Sequence, residues 1–214
     1  PEQDIDRRMS AMSSVGLIEP DGEGFRFRHA LIRDLAYDLQ PVHERRIMHR
    51  RAGHLLRALR TKGAAGSWTE IADHFARAGE PDDTLAAVDA YELGAAESRD
   101  RGAFKAGRDQ LGRAIDLIAE IPHDARTMGR EADLRLKRGY LVVATAGNAD
   151  PAVIDDFTTA LELTESDRPG IELVRTLVSL WAYHASRGDL DRCDLILGRA
   201  KELIDADGVR MRAE

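Results

Sequence analysis

From Trp68 onward, apolar residues recur in short stripes at the spacing of an α-helix, and glycines fall between the stripes. The stripes are Ile71, Ala72 and Phe75; Leu85, Val88, Tyr91 and Ala95; Leu111, Ala114, Ile115 and Ile118; Leu136, Tyr140 and Val143; Val153, Phe157, Ala160 and Leu161; Leu173, Leu177, Leu180 and Trp181; and Ile196, Leu197, Ala200 and Leu203. A glycine just past a helix end can adopt the left-handed cap, and Gly79, Gly102, Gly147 and Gly188 stand at such places. The pattern predicts helix after helix and hence an all-α fold.

Two of these glycines begin matching sequence segments. In each segment an apolar residue follows the glycine at +2, a leucine at +9 and an alanine at +12. The matching residues are Gly102, Phe104, Leu111 and Ala114 in the first segment, and Gly188, Leu190, Leu197 and Ala200 in the second. This pattern resembles the tetratricopeptide (TPR) repeat, in which small residues let two antiparallel helices approach closely.

The repeat is longer than a standard TPR. Gly188 follows Gly102 by 86 residues, and with one degenerate unit around Phe157 the mean period is 43, against roughly 34 for a TPR. We therefore predict a TPR-like α-solenoid of antiparallel helix pairs over residues 68–214, with longer helices than usual. An irregular helical bundle is the alternative.

The N-terminal quarter has a different pattern. Two β-prone runs, Leu17-Ile18 and Phe25-Arg26-Phe27, flank a segment of Pro, Asp and Gly that suits a tight reversal. Apolar residues from Leu31 to Leu39 then recur at helical spacing, and Pro41 stops that helix near Gln40 because it lacks a backbone N–H. A preceding helix carries Ile5, Met9 and Met12 on one stripe. Helix, hairpin and helix predict part of a winged helix.

The stretch Gly16–Tyr37, ending in FRHALIRDLAY and followed by an arginine-rich helix, resembles a junction in bacterial STAND-type regulatory ATPases. That family includes large LuxR-type and adenylate-cyclase-linked transcriptional regulators. The resemblance is close from Leu17 to about Pro122. It implies an internal piece of a signalling protein, whose ATPase core and cyclase or DNA-binding output domain lie outside this chain.

The predicted organisation has three parts. Residues 1–62 form the C-terminal part of the winged-helix module and the basic helix that follows it. The segment Gly63-Ala64-Ala65-Gly66-Ser67 is a flexible linker. Residues 68–214 form the helical repeats.

Charge is uneven along the chain. Residues 26–62 carry a balance of +7, whereas the whole chain carries −7. Within a helix from about His43 to Arg60, the apolar spacing predicts a buried seam and an arginine face opposite to it. The seam is Met48, Ala52, Leu55 and Leu59, and the arginines are Arg46, Arg50 and Arg57.

These three arginines are the candidate partner-binding residues. They suit a DNA phosphate surface, a docking face for an acidic protein or the parent's nucleotide-binding core, or a solvated helix face. The resemblance implies packing against that core, and the acidic overall balance disfavours nonspecific DNA binding. A protein partner is therefore expected ahead of DNA.

Catalytic, cofactor and metal motifs are not found in the sequence. No G-x-x-x-x-G-K-[ST] phosphate loop occurs, and His43-Glu44 begins a zinc helix that lacks its second histidine because Ile47 stands there. The aspartate pairs Asp82-Asp83, Asp155-Asp156 and Asp189 with Asp191 are interpreted as helix caps. We expect no enzyme activity and no cofactor in this chain.

No apolar run approaches the ~20 residues that cross a bilayer, and the N-terminus lacks a signal-peptide pattern, so a cytoplasmic location is expected. The single cysteine, Cys193, is interpreted as a buried thiol. Together these features predict a non-catalytic regulatory segment that relays ligand or partner binding to an ATPase or output domain outside the chain. The alternative is a DNA-binding winged helix with a helical dimerisation tail. The oligomeric state stays open.

Overall fold

A computed structural model describes residues 2–22, 24–122, 124–165 and 171–210. The described residues form ten helices and one two-stranded sheet, so the mostly helical fold is confirmed. The elements are α1 Glu2–Ser14, β1 Ile18–Asp21, β2 Gly24–Phe27, α2 Ala30–Asp38, α3 Val42–Thr61, α4 Trp68–Ala78, α5 Pro81–Asp100, α6 Phe104–Ala119, α7 Ala125–Ala146, α8 Pro151–Glu165, α9 Ile171–Ser186 and α10 Leu190–Arg210.

The chain divides into two compact units, Pro1–Met48 and His49–Glu214. The boundary lies within α3, fifteen residues before the segment 63–67 that was predicted as the linker. Residues 63–67 do lie outside helices, as the loop between α3 and α4, and Gly63 has a φ of +90°. This loop belongs to the second unit.

The first unit contains the predicted hairpin. Strands β1 and β2 are antiparallel, with Ile18 opposite Phe27 and Asp21 opposite Gly24. Gly22 turns the chain with a φ of +60°, which favours glycine. Helix α2 ends at Asp38, close to the predicted stop. None of the residues of α2 is buried: Leu31 and Leu35 are exposed, and Ile32 and Ala36 are partly buried.

In the second unit, each helix from α4 to α10 packs against its neighbours in sequence. Polar bridges also join helices that are two apart. Gln110 of α6 donates to the Thr69 hydroxyl of α4 at 2.7 Å, and Tyr140 of α7 shares a 2.7 Å hydrogen bond with Ser179 of α9. Helices α4 and α6, and helices α7 and α9, are therefore in contact as well.

Two hydrophobic clusters fill this unit. Residues from α4 to α7 form the first, and residues from α7 to α9 form the second, against which Ile196 of α10 packs. Helix α7 contributes to both clusters: Leu134 and Leu141 belong to the first, and Leu136 and Val142 to the second. Phe75 and Phe157 are the largest fully buried side chains, one in each cluster.

Most of the predicted apolar stripes are buried or partly buried. Three predicted residues are exposed instead: Tyr140 is 38% exposed, Trp181 37% and Leu197 53%. The Tyr140 hydroxyl reaches Ser179, which keeps its ring at the edge of the core. The side chain of Leu203 lies outside the described residues.

The four predicted glycine caps all have positive φ, with +74° at Gly79, Gly102 and Gly188 and +84° at Gly147. Gly79 is a left-handed cap, whereas Gly147 has a ψ of 167°, which lies outside the left-handed helical region. The turns at Gly102 and Gly188 also share their hydrogen bonds. The bonds are Gly102 N–H to Arg99 O and Ala103 N–H to Ser98 O in the first turn, and Gly188 N–H to Ala185 O and Asp189 N–H to His184 O in the second. Each donor and acceptor is displaced by 86 residues.

Candidate interaction surface

From His49 onward, helix α3 belongs to the second unit and packs on α4 and α5 through a face that the apolar spacing did not indicate. His49 and Gly53 are its buried residues, and Leu56 packs against the first hydrophobic cluster. A Cβ atom at Gly53 would lie 3.0 Å from the Phe75 ring, so the missing side chain allows α3 to approach α4 closely.

The predicted buried seam of α3 is wrong. Met48 is 55% exposed, Leu55 60% and Leu59 43%, and Ala52 is only partly buried. Apolar periodicity identifies residues that share one face of a helix, but it does not identify what covers that face. In α3 the face opposite the predicted seam is the one that packs on α4 and α5, through Gly53 and through arginine contacts.

Arg50 anchors α3 to the first turn of α5. Its Nε donates to Asp83 Oδ1 at 3.0 Å and its Nη2 to Oδ2 at 2.6 Å, a bidentate pairing. Asp83 is buried, and the hydrogen bond to it raises the pKa of the Arg50 guanidinium above its ordinary value. The N-terminal end of the α5 dipole also favours a carboxylate at this place.

Two further arginines extend the attachment. The Arg57 guanidinium lies 5.1 Å from the centre of the Phe75 ring, a cation–π contact. Arg60 donates to Glu97 of α5, which also accepts a 3.1 Å hydrogen bond from the indole N–H of Trp68. The arginines of α3 thus make much of its contact with α4 and α5.

The three predicted partner-binding arginines therefore do not form one outward surface. Arg46 is exposed. Arg50 is bound to Asp83, and Arg57 is partly buried against Phe75. The prediction that all three arginines face outward therefore holds for Arg46 and is wrong for Arg50 and Arg57, which contact Asp83 and Phe75.

A pair of histidines, His49 and His74, was missed by the sequence reasoning. Their Nδ1 atoms lie 2.9 Å apart, so one imidazole donates and the other accepts. His49 belongs to α3 and His74 to α4, 25 residues further along. Neither residue stands in a local motif, so the sequence carries no signal for the pair.

The cap interpretation fails for one aspartate pair. Helix α8 begins at Pro151, which places Asp155 and Asp156 beyond its first turn. Asp156 is 3% exposed and accepts hydrogen bonds from Arg138 Nε at 2.8 Å and Nη2 at 2.5 Å. It repeats the arrangement of Asp83 with Arg50: a buried carboxylate receives an arginine fork from another helix. Asp189 does lie at a helix start, where it accepts a 3.4 Å bond from the Arg192 N–H.

The exposed side of α3 is an apolar stripe with a cationic edge. Ala52, Leu55 and Leu59, which we name the α3 stripe, lie along one line of the helix at about 100° per residue. Exposed Arg51 flanks this line, as does Lys62 just past the helix end. Such a surface suits a protein surface that is apolar at its centre and acidic at its rim.

The described residues contain no group of three or more side chains placed to hold a metal ion. Across the described part of the chain, no helix has both the length and the apolar character that crossing a membrane requires. No model of a known protein family matches the chain, and the search of curated proteins found no match.

Proposed function

We propose that this chain is a non-catalytic protein-interaction segment of a bacterial signalling or transcription regulator. The α3 stripe is the observation that carries the proposal. It is an exposed apolar line on a helix whose other side is fixed to α4 and α5 by Arg50, Arg57 and Arg60. Exposed apolar surface of this kind marks sites of protein association.

A TPR-like α-solenoid is the scaffold we propose for the second unit. Its helices pack on their sequence neighbours, and the turns at Gly102 and Gly188 repeat each other's hydrogen bonds. Polar bridges connect alternate helices, as stacked helix pairs require. In such arrays each pair contacts only its neighbours, which leaves long surfaces for binding.

The proposed partner is the nucleotide-binding core that the STAND resemblance implies. The Arg50–Asp83 pair joins α3 to α5. If the nucleotide-binding core binds the α3 stripe, a change in the nucleotide state of the core would move α3, and α3 would move α5 with it. Acidic residues at the rim of the partner would face Arg51 and Lys62.

The DNA-binding alternative is less well supported. Most arginines of the first unit lie beside carboxylates of the same unit: Arg26 and Arg28 beside Glu19, Arg33 beside Asp34, and Arg45 beside Asp38. Phosphate binding would have to replace these partners. The chain as a whole carries a charge of −7, which repels a polyanion.

The proposal is tested by titrating the labelled chain with the nucleotide-binding core of its parent protein and following fluorescence anisotropy. Substituting Leu55→Ser and Leu59→Ser together should weaken binding by about tenfold or more, because both side chains would leave a desolvated contact. Leu93→Ser on α5 is the matched control, since Leu93 is also exposed, at 46%. Circular dichroism checks that all variants fold.

Equal affinity of the double variant and the control would remove the α3 stripe as the docking surface. A mobility shift with mixed duplex DNA that weakens steeply with salt would favour the DNA-binding alternative instead.

A further inference from the structure

The contact between His49 of α3 and His74 of α4 joins the two helices through imidazole nitrogens. The Nδ1 atoms lie 2.9 Å apart, and the ring centres lie 5.1 Å apart. His49 is 8% exposed, and His74 is partly buried. A neutral imidazole carries its proton on one nitrogen and accepts through the other. The contact therefore requires opposite tautomers, with one ring protonated at Nδ1 and the other at Nε2.

Only one added proton is compatible with this hydrogen bond. The donor ring can take a proton at Nε2 and still donate through Nδ1. The acceptor ring already carries a proton at Nε2, so it can take another only at Nδ1, the atom that accepts. Two protonated rings would bring two N–H donors and two positive charges together at a partly buried place, which is unfavourable.

Charged groups of α3, α4 and α5 surround the pair. Arg50, the next residue of α3, is bound to buried Asp83 of α5. Asp73, the preceding residue of α4, accepts a hydrogen bond from Arg113 at 3.2 Å. The other charged side chains within one helical turn of the pair, or at the start of α5, are mostly exposed and of both signs: Arg45, Arg46, Arg51, Glu70, Arg77, Glu80 and Asp82. Exposed charges are screened by water and salt, so they compensate a second positive charge only weakly.

We infer that the His49–His74 pair makes the attachment of α3 to α4 sensitive to acid. The hydrogen bond persists with no added proton or with one, and it is lost when both rings are protonated. Separated imidazoles take up one proton each, so the detached state binds one proton more than the attached state. As the pH decreases, the equilibrium constant for attachment should therefore fall by up to about tenfold for each unit of pH. The fall should begin within the range of about pH 5 to 8 in which histidine titrates.

The arginine contacts of α3 should not change over the same range, because arginine stays protonated. Arg50 binds Asp83, Arg57 lies against the Phe75 ring, and Arg60 binds Glu97. The expected effect of acid is therefore a local loosening of α3, while the helices from α5 onward stay folded.

The first measurement is the tautomeric state of the imidazoles in the isotope-labelled full chain, read from long-range proton–nitrogen correlations. Above neutral pH, one ring of the pair should carry its proton on Nδ1 and the other on Nε2. His54 of α3 is exposed and provides a reference imidazole on the same helix. Finding both rings of the pair protonated at Nε2 would overturn the inference, because neither could then donate to the other.

The second measurement is hydrogen–deuterium exchange of the full chain, corrected for the intrinsic exchange rate, at about pH 7 and about pH 5. Protection of the α3 amides after His49 should fall by about tenfold or more at the lower pH, whereas protection of α8 should stay unchanged. His74→Asn should abolish the fall, because an amide does not titrate and can either donate to or accept from the His49 Nδ1. His54→Asn is the matched control and should keep the fall.

An equal fall in protection for His74→Asn and the unsubstituted chain would overturn the inference. Unchanged protection of α3 at the lower pH, or an equal loss in α3 and α8, would overturn it as well. His49→Asn carries the same expectation and replaces His74→Asn if that variant does not fold, and the tautomer measurement needs no variant. No nucleotide-binding core takes part in these measurements, so their outcome is separate from that of the core-docking experiment.

Discussion

Two buried aspartates, Asp83 and Asp156, hold helices together in the same way. Each accepts a fork of hydrogen bonds from an arginine of another helix, Arg50 and Arg138 respectively. A carboxylate that loses its partner in such a site is left desolvated and uncompensated. The arginine partner is therefore structural in both cases.

Reversing the charge at Arg50 should lower the thermal unfolding temperature by several degrees, because Arg50→Glu brings a second carboxylate against buried Asp83. Arg46→Glu is the control and should change it little, because Arg46 is exposed. Scanning calorimetry measures both. Pairing Arg50→Glu with Asp83→Arg should recover part of the loss, whereas equal unfolding temperatures for the two single variants would contradict the anchoring role of Arg50.

Two glycines of α7 should respond to alanine in opposite directions. A Cβ atom at Gly139 would overlap the buried ring of Phe157, so Gly139→Ala should destabilise by about 1–3 kcal/mol. No atom lies near the Cβ position of Gly129, and Gly129→Ala should stabilise by up to about 1 kcal/mol through helix propensity alone. Urea denaturation gives both values. Stabilisation by Gly139→Ala would mean that α7 and α8 pack less closely than described.

The turn before α10 should discriminate between side chains at Gly188. Its φ of +74° is strained for a β-branched residue but is visited by asparagine. Gly188→Val should therefore lower the midpoint of urea unfolding more than Gly188→Asn. Equal midpoints would remove the left-handed turn assigned to this glycine. Gly129→Val, within a helix, provides a comparison that lacks the positive φ.

The elements themselves were largely predictable from the sequence, because helical periodicity, glycine caps and the hairpin turn are local signals. The hairpin and the end of α2 agree with the prediction. The inner and outer faces of α3 could not be predicted in the same way. Its attachment depends on Asp83 and Phe75, which are 33 and 18 residues beyond Arg50 and Arg57, and on the absent side chain of Gly53. No local pattern encodes those partners.

The repeat places Leu111 and Leu197 at equivalent positions, so the sequence alone predicts that both are buried and that alanine at either costs roughly 2–5 kcal/mol. That expectation is corrected, because Leu197 is 53% exposed whereas Leu111 is 2% exposed. Leu111→Ala should now show the loss of about 2–5 kcal/mol, and Leu197→Ala less than about 1 kcal/mol. Chemical denaturation of the two variants in parallel checks the difference. A large loss for Leu197→Ala would mean that another segment covers α10 in solution.

The loop between α3 and α4 contains a lysine and two glycines, as a phosphate loop does. However, Lys62 precedes Gly63 and Gly66, whereas the lysine of a phosphate loop follows its glycines. We therefore expect the isolated chain neither to hydrolyse ATP nor to bind it tightly. Isothermal titration with ATP and magnesium should give no saturable heat, and micromolar affinity would contradict this expectation.

Helix α7 packs into both hydrophobic clusters of the second unit. Because Leu134 and Leu141 fill one cluster while Leu136 and Val142 fill the other, the helix acts as a common wall between two closely packed volumes. Protein interiors resist compression, so a rotation of α7 that opens space on one side must close it on the other. A substitution on one face of α7 should therefore change the packing of both clusters.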